Sequence, residues 1–236
     1  MNTATASLAR GLDVLETLGR PEHAAGLGVV ALAELVGGDK SQVSRALSVL
    51  ADHGFVTHAA DGRSYRLGCR LFALAAAVGE ARLLAEAPPI LRGLVRELGE
   101  SAHLSVRQGG EVLTLLTESP PATLHAPGRV GSLTPLATTS AGRALVLDLG
   151  DEELAALGLG AHADAVARSR ERGYVVVREE FEPGLVAAAA PVRDGAGRIV
   201  AALNVSAPGF RFEKRLDAAG ARVAAAAEEL RASAWS

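Results

Sequence analysis

Aromatic residues and cysteine are both scarce in this sequence. Only 3% of its 236 residues are Phe, Trp or Tyr, so the core must be aliphatic, and side chains that could stack on bases or sugars are few. The single cysteine, Cys69, excludes disulfides within the chain and any zinc site that needs several thiolates. We therefore expect no metal and no cofactor, and we expect Cys69 to be buried by packing.

An excess of one charge and a long apolar run are missing as well. The formal net charge of −3 excludes a diffusely basic coat, so any contact with nucleic acid must come from a local patch. The apolar stretch 184–192 contains Pro191 and is far shorter than the ~20 residues that a membrane-spanning helix needs. Residues 1–10 lack the features of a signal peptide. The expectation is a cytoplasmic protein without membrane contact, long enough for two modest domains.

The first 70 residues have the pattern of three helices followed by a β-hairpin. Leucines at helical spacing predict a helix over residues 7–19, and a second apolar segment covers 29–36. Asp39 then opens a third helix as its N-cap, with Gln42 as the partner in a capping box. Two short strand-like runs, 55–57 and 65–67, flank an Asp-Gly pair. This order is typical of a winged helix-turn-helix.

The polar face of the third helix carries candidate DNA contacts. Its N-terminal half is where a recognition helix meets base edges, which Gln and Arg can read, while Ser and Lys suit phosphates. Two arginines flank the hairpin turn. Residues 1–70 hold seven basic and seven acidic side chains, so charge alone does not reveal this surface. The candidates are Lys40, Ser41, Gln42, Ser44, Arg45, Arg63 and Arg66.

Beyond residue 70 the pattern becomes mixed. A helix over 71–84, ending before Pro88 and Pro89, is expected to link two domains. Helical and strand-like segments then alternate, which favours an α+β domain with a central antiparallel sheet. The expected division is a winged helix-turn-helix domain over 1–69, a linker helix over 70–87 and a second domain over 88–236. The expected helices cover 90–98, 141–149, 163–172 and the residues after 213; the expected strands cover 102–107, 111–117, 174–178, 184–193 and 198–206.

The chain resembles IclR-type transcriptional regulators. Its first half does so in the runs LARGLDVLETLG, VVALAELVGGDKSQVSRALSVLADHGFV and DGRSYRLGCRLFALA. Its second half does so at 129–131, 135–137, 140–144, 178–180, 189–192 and 201–206. The resemblance implies a repressor or activator that binds double-stranded operator DNA as a homodimer or tetramer. It also implies a GAF-like second domain that encloses a pocket for a small organic effector.

The resemblance further implies which residues line that pocket: Thr139, Ser140, Ala141, Val177, Ala187, Asn204 and Ser206. Residues 138–140 precede a helix, so backbone N–H groups there could hold a carboxylate, or a Thr or Ser could simply cap the helix. Val177 and Ala187 stand where family members that bind small oxo-acids have an acidic residue and a cysteine, which favours a larger, partly apolar carboxylate. Leu124, His125 and Ala126 are expected to close the pocket.

Two other functions stay open. A hydrolase could use Ser140 or Ser206 as a nucleophile, but it would need a base within hydrogen-bond reach, and no histidine stands out as that partner. The histidines at 103, 125 and 162 are expected to be structural, and Glu179 and Glu180, as neighbours on a strand, should point to opposite faces. The neutral first 70 residues also fit a protein-interaction module that has lost DNA binding.

Overall fold

A computed structural model describes residues 3–77, 81–121 and 130–235 of the chain. The chain divides into two compact units, Met1–Ala81 and Arg82–Ser236. Residues 82–87, expected to be part of a separate linker, belong to the second unit. The three-part division into 1–69, 70–87 and 88–236 stays a prediction.

The first unit is the predicted arrangement of helices and a hairpin. The antiparallel strands β1 and β2 pair with Val56 opposite Leu67. Its core is aliphatic and includes Val14, Leu32, Val43 and Leu47, which are fully buried. The elements are α1 (Thr3–Leu18), α2 (Val29–Val36), α3 (Lys40–Asp52), β1 (Val56–His58), β2 (Tyr65–Leu67) and α4 (Arg70–Ala77).

The turn between α2 and α3 is set by backbone conformation and by one carboxylate. Gly37 ends α2 in the left-handed region with φ 68°, which glycine adopts without strain. Asp39 caps α3 as predicted, since its Oδ1 accepts a hydrogen bond from the Ser41 backbone N–H at 2.7 Å. The predicted capping box is wrong: the Ser41 hydroxyl, and not Gln42, makes the second bond to Asp39, at 2.5 Å. The Gln42 side chain is left exposed.

The predicted end of the linker helix before Pro88 is wrong. The helix α5 (Ala81–Leu98) runs through both Pro88 and Pro89. Its buried face continues across them at intervals of three and four residues, through Leu83, Ala87, Leu91, Leu94 and Leu98. A proline inside a helix costs about 3 kcal/mol, whereas each large aliphatic side chain gains roughly 1.5–3 kcal/mol on burial. Packing of this face therefore outweighs the prolines.

The second unit is built on an antiparallel sheet. In the described residues its six strands follow the order β5-β4-β3-β8-β7-β6, which confirms the predicted α+β class. The strands are β3 (Ser101–Gln108), β4 (Glu111–Glu118), β5 (Leu133–Pro135), β6 (Val175–Arg178), β7 (Leu185–Arg193) and β8 (Ile199–Pro208). The further helices are α6 (Ser140–Leu145), α7 (Asp151–Ala156), α8 (Ala163–Arg172), α9 (Gly209–Phe212) and α10 (Leu216–Ala234). The sequence patterns miss β5, α7 and α9, which are too short to show a period, and α6 ends before the predicted residue 149.

The sheet lies between two helical layers. Successive residues of β7 point to opposite faces, so Ala188 and Ala190 belong to the cluster with α5 and α10, whereas Ala189 belongs to the cluster with α6 and α8. These small side chains let helices approach both faces closely. The face toward α6 is the one that carries the cavity described below.

Cys69 is exposed, which contradicts its predicted burial. The chain is buried one residue earlier, at Gly68, where a Cβ would overlap the carbonyl oxygen of Gly54. The backbone at Gly68 therefore packs directly against the backbone at Gly54, and the side chain of Cys69 points to solvent. In the described residues no helix is both long and apolar enough to cross a membrane.

Candidate nucleic-acid interface and ligand pocket

The seven candidate DNA contacts are all exposed on the first unit. Val43 and Leu47 turn one face of α3 into the core, so the residues between them face solvent. The exposed candidates on α3 are Lys40, Ser41, Gln42, Ser44 and Arg45, and those on the hairpin are Arg63 and Arg66. Ser41 donates its hydroxyl hydrogen to Asp39, so any contact it makes with a phosphate competes with the helix cap.

The tip of the hairpin is held by one carboxylate. Asp61 accepts hydrogen bonds from the backbone N–H groups of Arg63, at 2.9 Å, and Ser64, at 2.8 Å. The Ser64 hydroxyl donates a third bond to the same side chain, at 2.7 Å. These bonds, led by those from Ser64, lower the pKa of Asp61 to about 2. The loop that carries Arg63 is therefore fixed before any DNA is bound.

An apolar groove runs between α1 and α3. It has a volume of about 930 Å³. Leu8, Leu12 and Val49 line it and are 67%, 52% and 57% exposed, values that are high for such large apolar side chains. Gln42 and Arg45 lie along the same groove. An apolar surface of this kind beside polar side chains is typical of a protein interaction site.

The second unit contains a cavity of about 80 Å³. It lies on the α6 side of the sheet, and all seven residues of the expected effector site line it: Thr139, Ser140, Ala141, Val177, Ala187, Asn204 and Ser206. Ten further residues line it, of which the sequence indicated only Thr138, in the segment 138–140: His103, Ser105, Val112, Thr114, Ser132, Thr134, Thr138, Phe181, Glu182 and Leu185. The first five of these ten come from strands β3 and β4 and the segment that leads into β5. The expected closing residues 124–126 lie outside the described residues.

The start of α6 forms one wall of this cavity. Thr139 is its N-cap, since its hydroxyl accepts a hydrogen bond from Gly142 N–H at 3.1 Å and donates one to the Pro135 carbonyl at 2.8 Å. In the described part of the chain, no acceptor is bonded to the N–H groups of Ser140 or Ala141. Gly142 is needed here because a Cβ at this position would overlap the backbone of Leu136.

A buried arginine ties α6 to the loop after β6. Arg143 is 3% exposed, and its guanidinium binds both carboxylate oxygens of Glu180 and the carbonyl oxygen of Ala137. The ring of His162 lies 2.9 Å from the same guanidinium. Because Phe181 and Glu182 follow Glu180 and line the cavity, this ion pair fixes one edge of the pocket.

The expected strand geometry of Glu179 and Glu180 is wrong. The strand β6 ends at Arg178, and Glu179 has φ 56°, a left-handed backbone conformation that is strained for a residue with a side chain. The turn at Glu179 is what allows Glu180 to reach Arg143.

His103, which is expected from the sequence to be structural, lines the pocket. It is 4% exposed, and its Nδ1 and Nε2 lie 2.9 Å from the Thr117 hydroxyl and 3.1 Å from the Ser206 hydroxyl. Burial lowers its pKa to about 4, so the ring is neutral near pH 7. The expectation that no histidine partners a pocket serine is therefore wrong. In the described residues, no group of His, Cys, Asp and Glu is placed to hold a metal ion.

Comparison with known proteins identifies both units. Residues 7–60 match the IclR helix-turn-helix domain, and residues 75–232 match the family of bacterial transcriptional regulator IclR C-terminal domains. The chain belongs to the IclR family of transcriptional regulators. This IclR-family regulator therefore has an N-terminal helix-turn-helix DNA-binding domain and a C-terminal effector-binding domain, as the sequence predicts.

Similar proteins of the family span nearly the same length. The chain is 30% identical over 216 residues to the HTH-type transcriptional regulator XynR of Escherichia coli K12, with 85% of each chain covered. It is 28% identical to the transcriptional repressor IclR of the same organism, covering 95% of this chain and 88% of that one. A crystal structure of an IclR homolog from Microbacterium hydrocarbonoxydans, complexed with 4-hydroxybenzoate, has the same fold, with a TM-score of 0.77 and 22% identity over 96% and 98% of the two chains.

Proposed function

We propose that this IclR-family regulator binds double-stranded operator DNA through α3 and the hairpin, and that a small organic effector in the cavity controls that binding. It acts in the cytoplasm, as a homodimer or tetramer, and catalyses no reaction. The observation that carries this proposal is the gathering of all seven expected effector residues around one cavity. Those residues come from four separate elements, α6, β6, β7 and β8, and the segment before α6.

The side chains exposed on α3 and the hairpin suit two kinds of DNA contact. Gln42 and Arg45 can pair with adenine and guanine edges in the major groove. Lys40, Arg63 and Arg66 can bind phosphates, which positions the protein without reading sequence. All five are exposed, so a DNA duplex can reach them.

The groove between α1 and α3 supports self-association. A second copy that packs its own α1 against the α1 side of this groove would cover Leu8 and Leu12 and leave Gln42 and Arg45 open to DNA, and a two-fold dimer would match a pseudo-palindromic operator. Leu12→Glu should therefore yield a monomer by light scattering at micromolar concentration. Leu35→Glu is the matched control, because Leu35 on α2 is also 52% exposed and does not line the groove. A wild-type monomer with half-site footprints would contradict the proposal.

The cavity favours a small ligand that is polar at one end. The N–H groups of Ser140 and Ala141 can bind the carboxylate or carbonyl end of such a ligand. Val177 and Ala187 offer an apolar wall in place of the acid and the thiol found in family members that bind small oxo-acids. The best match is a small, partly apolar carboxylate.

The deciding experiment tests ligand binding by the second unit and operator binding by the first unit independently. Operator fragments are first selected from the source genome, and ligands are then found by thermal shift and confirmed by calorimetry. Ala187→Trp should fill the cavity and abolish the effector response while operator affinity in a gel-shift titration stays at the wild-type value. Arg45→Ala should weaken operator binding and leave ligand affinity unchanged. If every effector binds Ala187→Trp as tightly as wild type, the ligand site lies elsewhere.

One contact favours a hydrolase as the second candidate function. The Ser206 hydroxyl lies 3.1 Å from His103 Nε2, the geometry of a nucleophile and its base. The opposite ring nitrogen, however, faces the Thr117 hydroxyl where a triad has a carboxylate. A pKa of about 4 also makes His103 a weak base near pH 7. Hydrolysis of small activated esters that is lost in Ser206→Ala would favour the hydrolase.

The protein-interaction module is the third candidate, and the neutral charge of residues 1–70 is its support. The genomic selection decides it, because a module without DNA binding retains no fragment above background.

A further inference from the structure

The cavity wall contains several buried polar side chains. His103, Ser105, Thr114, Ser140 and Asn204 all line it, and each is at least nine-tenths buried. Burying a polar group without a hydrogen-bond partner is costly, and cavities that are only packing defects are apolar. This arrangement therefore indicates a site built to bind polar groups.

Asn204 is the buried wall residue with the largest polar side chain that has no hydrogen-bond partner within the described residues. It is 9% exposed, and within the described part of the chain its side-chain amide makes no hydrogen bond. Across the sheet it faces His103 on β3 and Ala189 on β7. The two nitrogens of His103 are already bonded to Thr117 and Ser206, and Ala189 has no polar side-chain atom. The amide is thus available to whatever occupies the cavity.

The chemistry of an amide defines what it can recognise. A primary amide offers two N–H donors and one carbonyl acceptor, and so its complement is a group that both donates and accepts. An alcohol or phenol hydroxyl does both. A carboxylate would use the donors and leave the Asn204 carbonyl without a partner, and a methyl group would satisfy neither.

Neighbouring side chains suit the same ligand. The hydroxyl of Ser140, 3% exposed, likewise makes no hydrogen bond within the described residues. Val177 and Ala187 supply the apolar surface on the adjacent strands. We propose that the effector carries a hydroxyl group, and that Asn204 is the residue that selects it. This inference depends on the effector role of the cavity proposed above.

The test compares ligands that differ by one hydroxyl. The probes are three matched pairs: lactate and propionate, 3-hydroxybutyrate and butyrate, mandelate and phenylacetate. Calorimetry on the full chain should show at least one hydroxylated member binding about tenfold more tightly than its partner, since a site that binds a hydroxyl penalises its loss. Asn204→Leu, similar in shape but without polar atoms, should bring that ratio close to one.

Ser101→Ala is the matched control. Ser101 is 4% exposed on the same strand as His103, and its hydroxyl bonds Ser119 without lining the cavity. It should keep the wild-type ratio. If Asn204→Leu does not fold, Asn204→Ala is measured in its place.

The possible outcomes distinguish a failure of hydroxyl selection by Asn204 from a failure of the cavity as the effector site. Equal affinities within every pair, no binding by any hydroxylated member, or an unchanged ratio in the Asn204 variant would overturn the selection of a hydroxyl. Binding that persists in Ala187→Trp would instead overturn the cavity as the effector site. Loss of binding in Ala187→Trp with equal affinities within every pair would keep the cavity and remove the role of Asn204.

Discussion

The two units place their functional side chains in opposite environments. In the first unit the candidate DNA contacts are exposed on α3 and the hairpin, and all of them lie within residues 40–66. In the second unit the candidate ligand contacts are buried or half-buried, and the residues that line the cavity come from strands as far apart in the chain as β3 and β8. A surface that reads DNA must be reached by the duplex, whereas a small ligand is held best when water is excluded from its polar contacts. The comparison teaches that burial, and not only residue type, distinguishes the two sites.

The largest effect is expected from a substitution in the buried wall of the pocket, which has no counterpart on the exposed DNA-contact surface. Gly142→Ala should lower the free energy of unfolding by about 3 kcal/mol, since a Cβ there would overlap the backbone of Leu136. Gly110→Ala is the control, because nothing lies within 4 Å of its Cβ position. Urea unfolding measures both. Equal midpoints for the two variants would show that the wall of the pocket accommodates a Cβ at residue 142.

The second effect tests the burial of His103 through pH. The pKa of its ring is lowered from 6.5 to about 4 in the folded protein. Above pH 6.5 the ring is neutral in both states; below it the unfolded state takes up a proton that the folded state refuses, so stability falls as the pH drops toward 4.

The expected loss from this residue is about 3 kcal/mol across that range. Urea unfolding at a series of pH values should show a steeper decrease for wild type than for His103→Gln. Parallel curves would mean that the ring is not excluded from water.

The third prediction concerns the exposed surface. Arg45→Ala should weaken operator binding by about 1–3 kcal/mol and relax the preference for one base, because a base-edge contact is lost. Arg168→Ala, an exposed arginine on α8 of the second unit, should leave operator affinity unchanged. Gel-shift titrations on the selected operator and on single-base variants measure both effects. Equal losses for the two arginines would remove the assignment of α3 as the reading helix.

The smallest effect is expected at the hairpin. Arg63→Ala should weaken binding to all sequences by a similar factor and reduce the salt slope of the logarithm of affinity by about one. Its folded loop should persist, since the Asp61 bonds involve the Arg63 backbone and not its side chain. Affinity measured over a series of salt concentrations checks this. A loss confined to one operator sequence would indicate base reading by the hairpin instead.

Sequence patterns predicted the order of the elements in the first unit and most of their bounds, although α1 begins at Thr3 and not at residue 7. The bounds of α2 agree because Gly37 adopts a conformation that ends a helix, and Asp39 caps α3 because a carboxylate accepts from the free N–H groups of the next turn. The predicted α8 agrees for a similar reason, since Gly173 ends it with φ 77°. Local rules of this kind depend only on neighbouring residues.

Where tertiary packing competes with a local rule, sequence reasoning failed. Pro88 and Pro89 read as the end of a helix, yet the buried face of α5 carries the helix through them. His103 read as a scattered histidine, although the alternation of Ser101, His103 and Ser105 along β3 already placed three polar side chains on one face of a strand. These side chains are buried because β3 lies between β4 and β8 in the sheet, and the alternation along one strand does not predict that position.

The sequence by itself determined the family, the order of the elements and the exposed candidates on α3 and the hairpin, because those follow from periodicity, caps and motifs within short stretches of chain. Only the tertiary structure decided that His103 contacts Ser206, that Arg143 binds Glu180, and that the Asn204 amide faces the cavity without a hydrogen-bond partner in the described residues. Each of these contacts, or its absence, depends on residues brought together from distant parts of the chain. Their placement is set by how the strands and helices of the second unit pack, which no short segment of the sequence specifies.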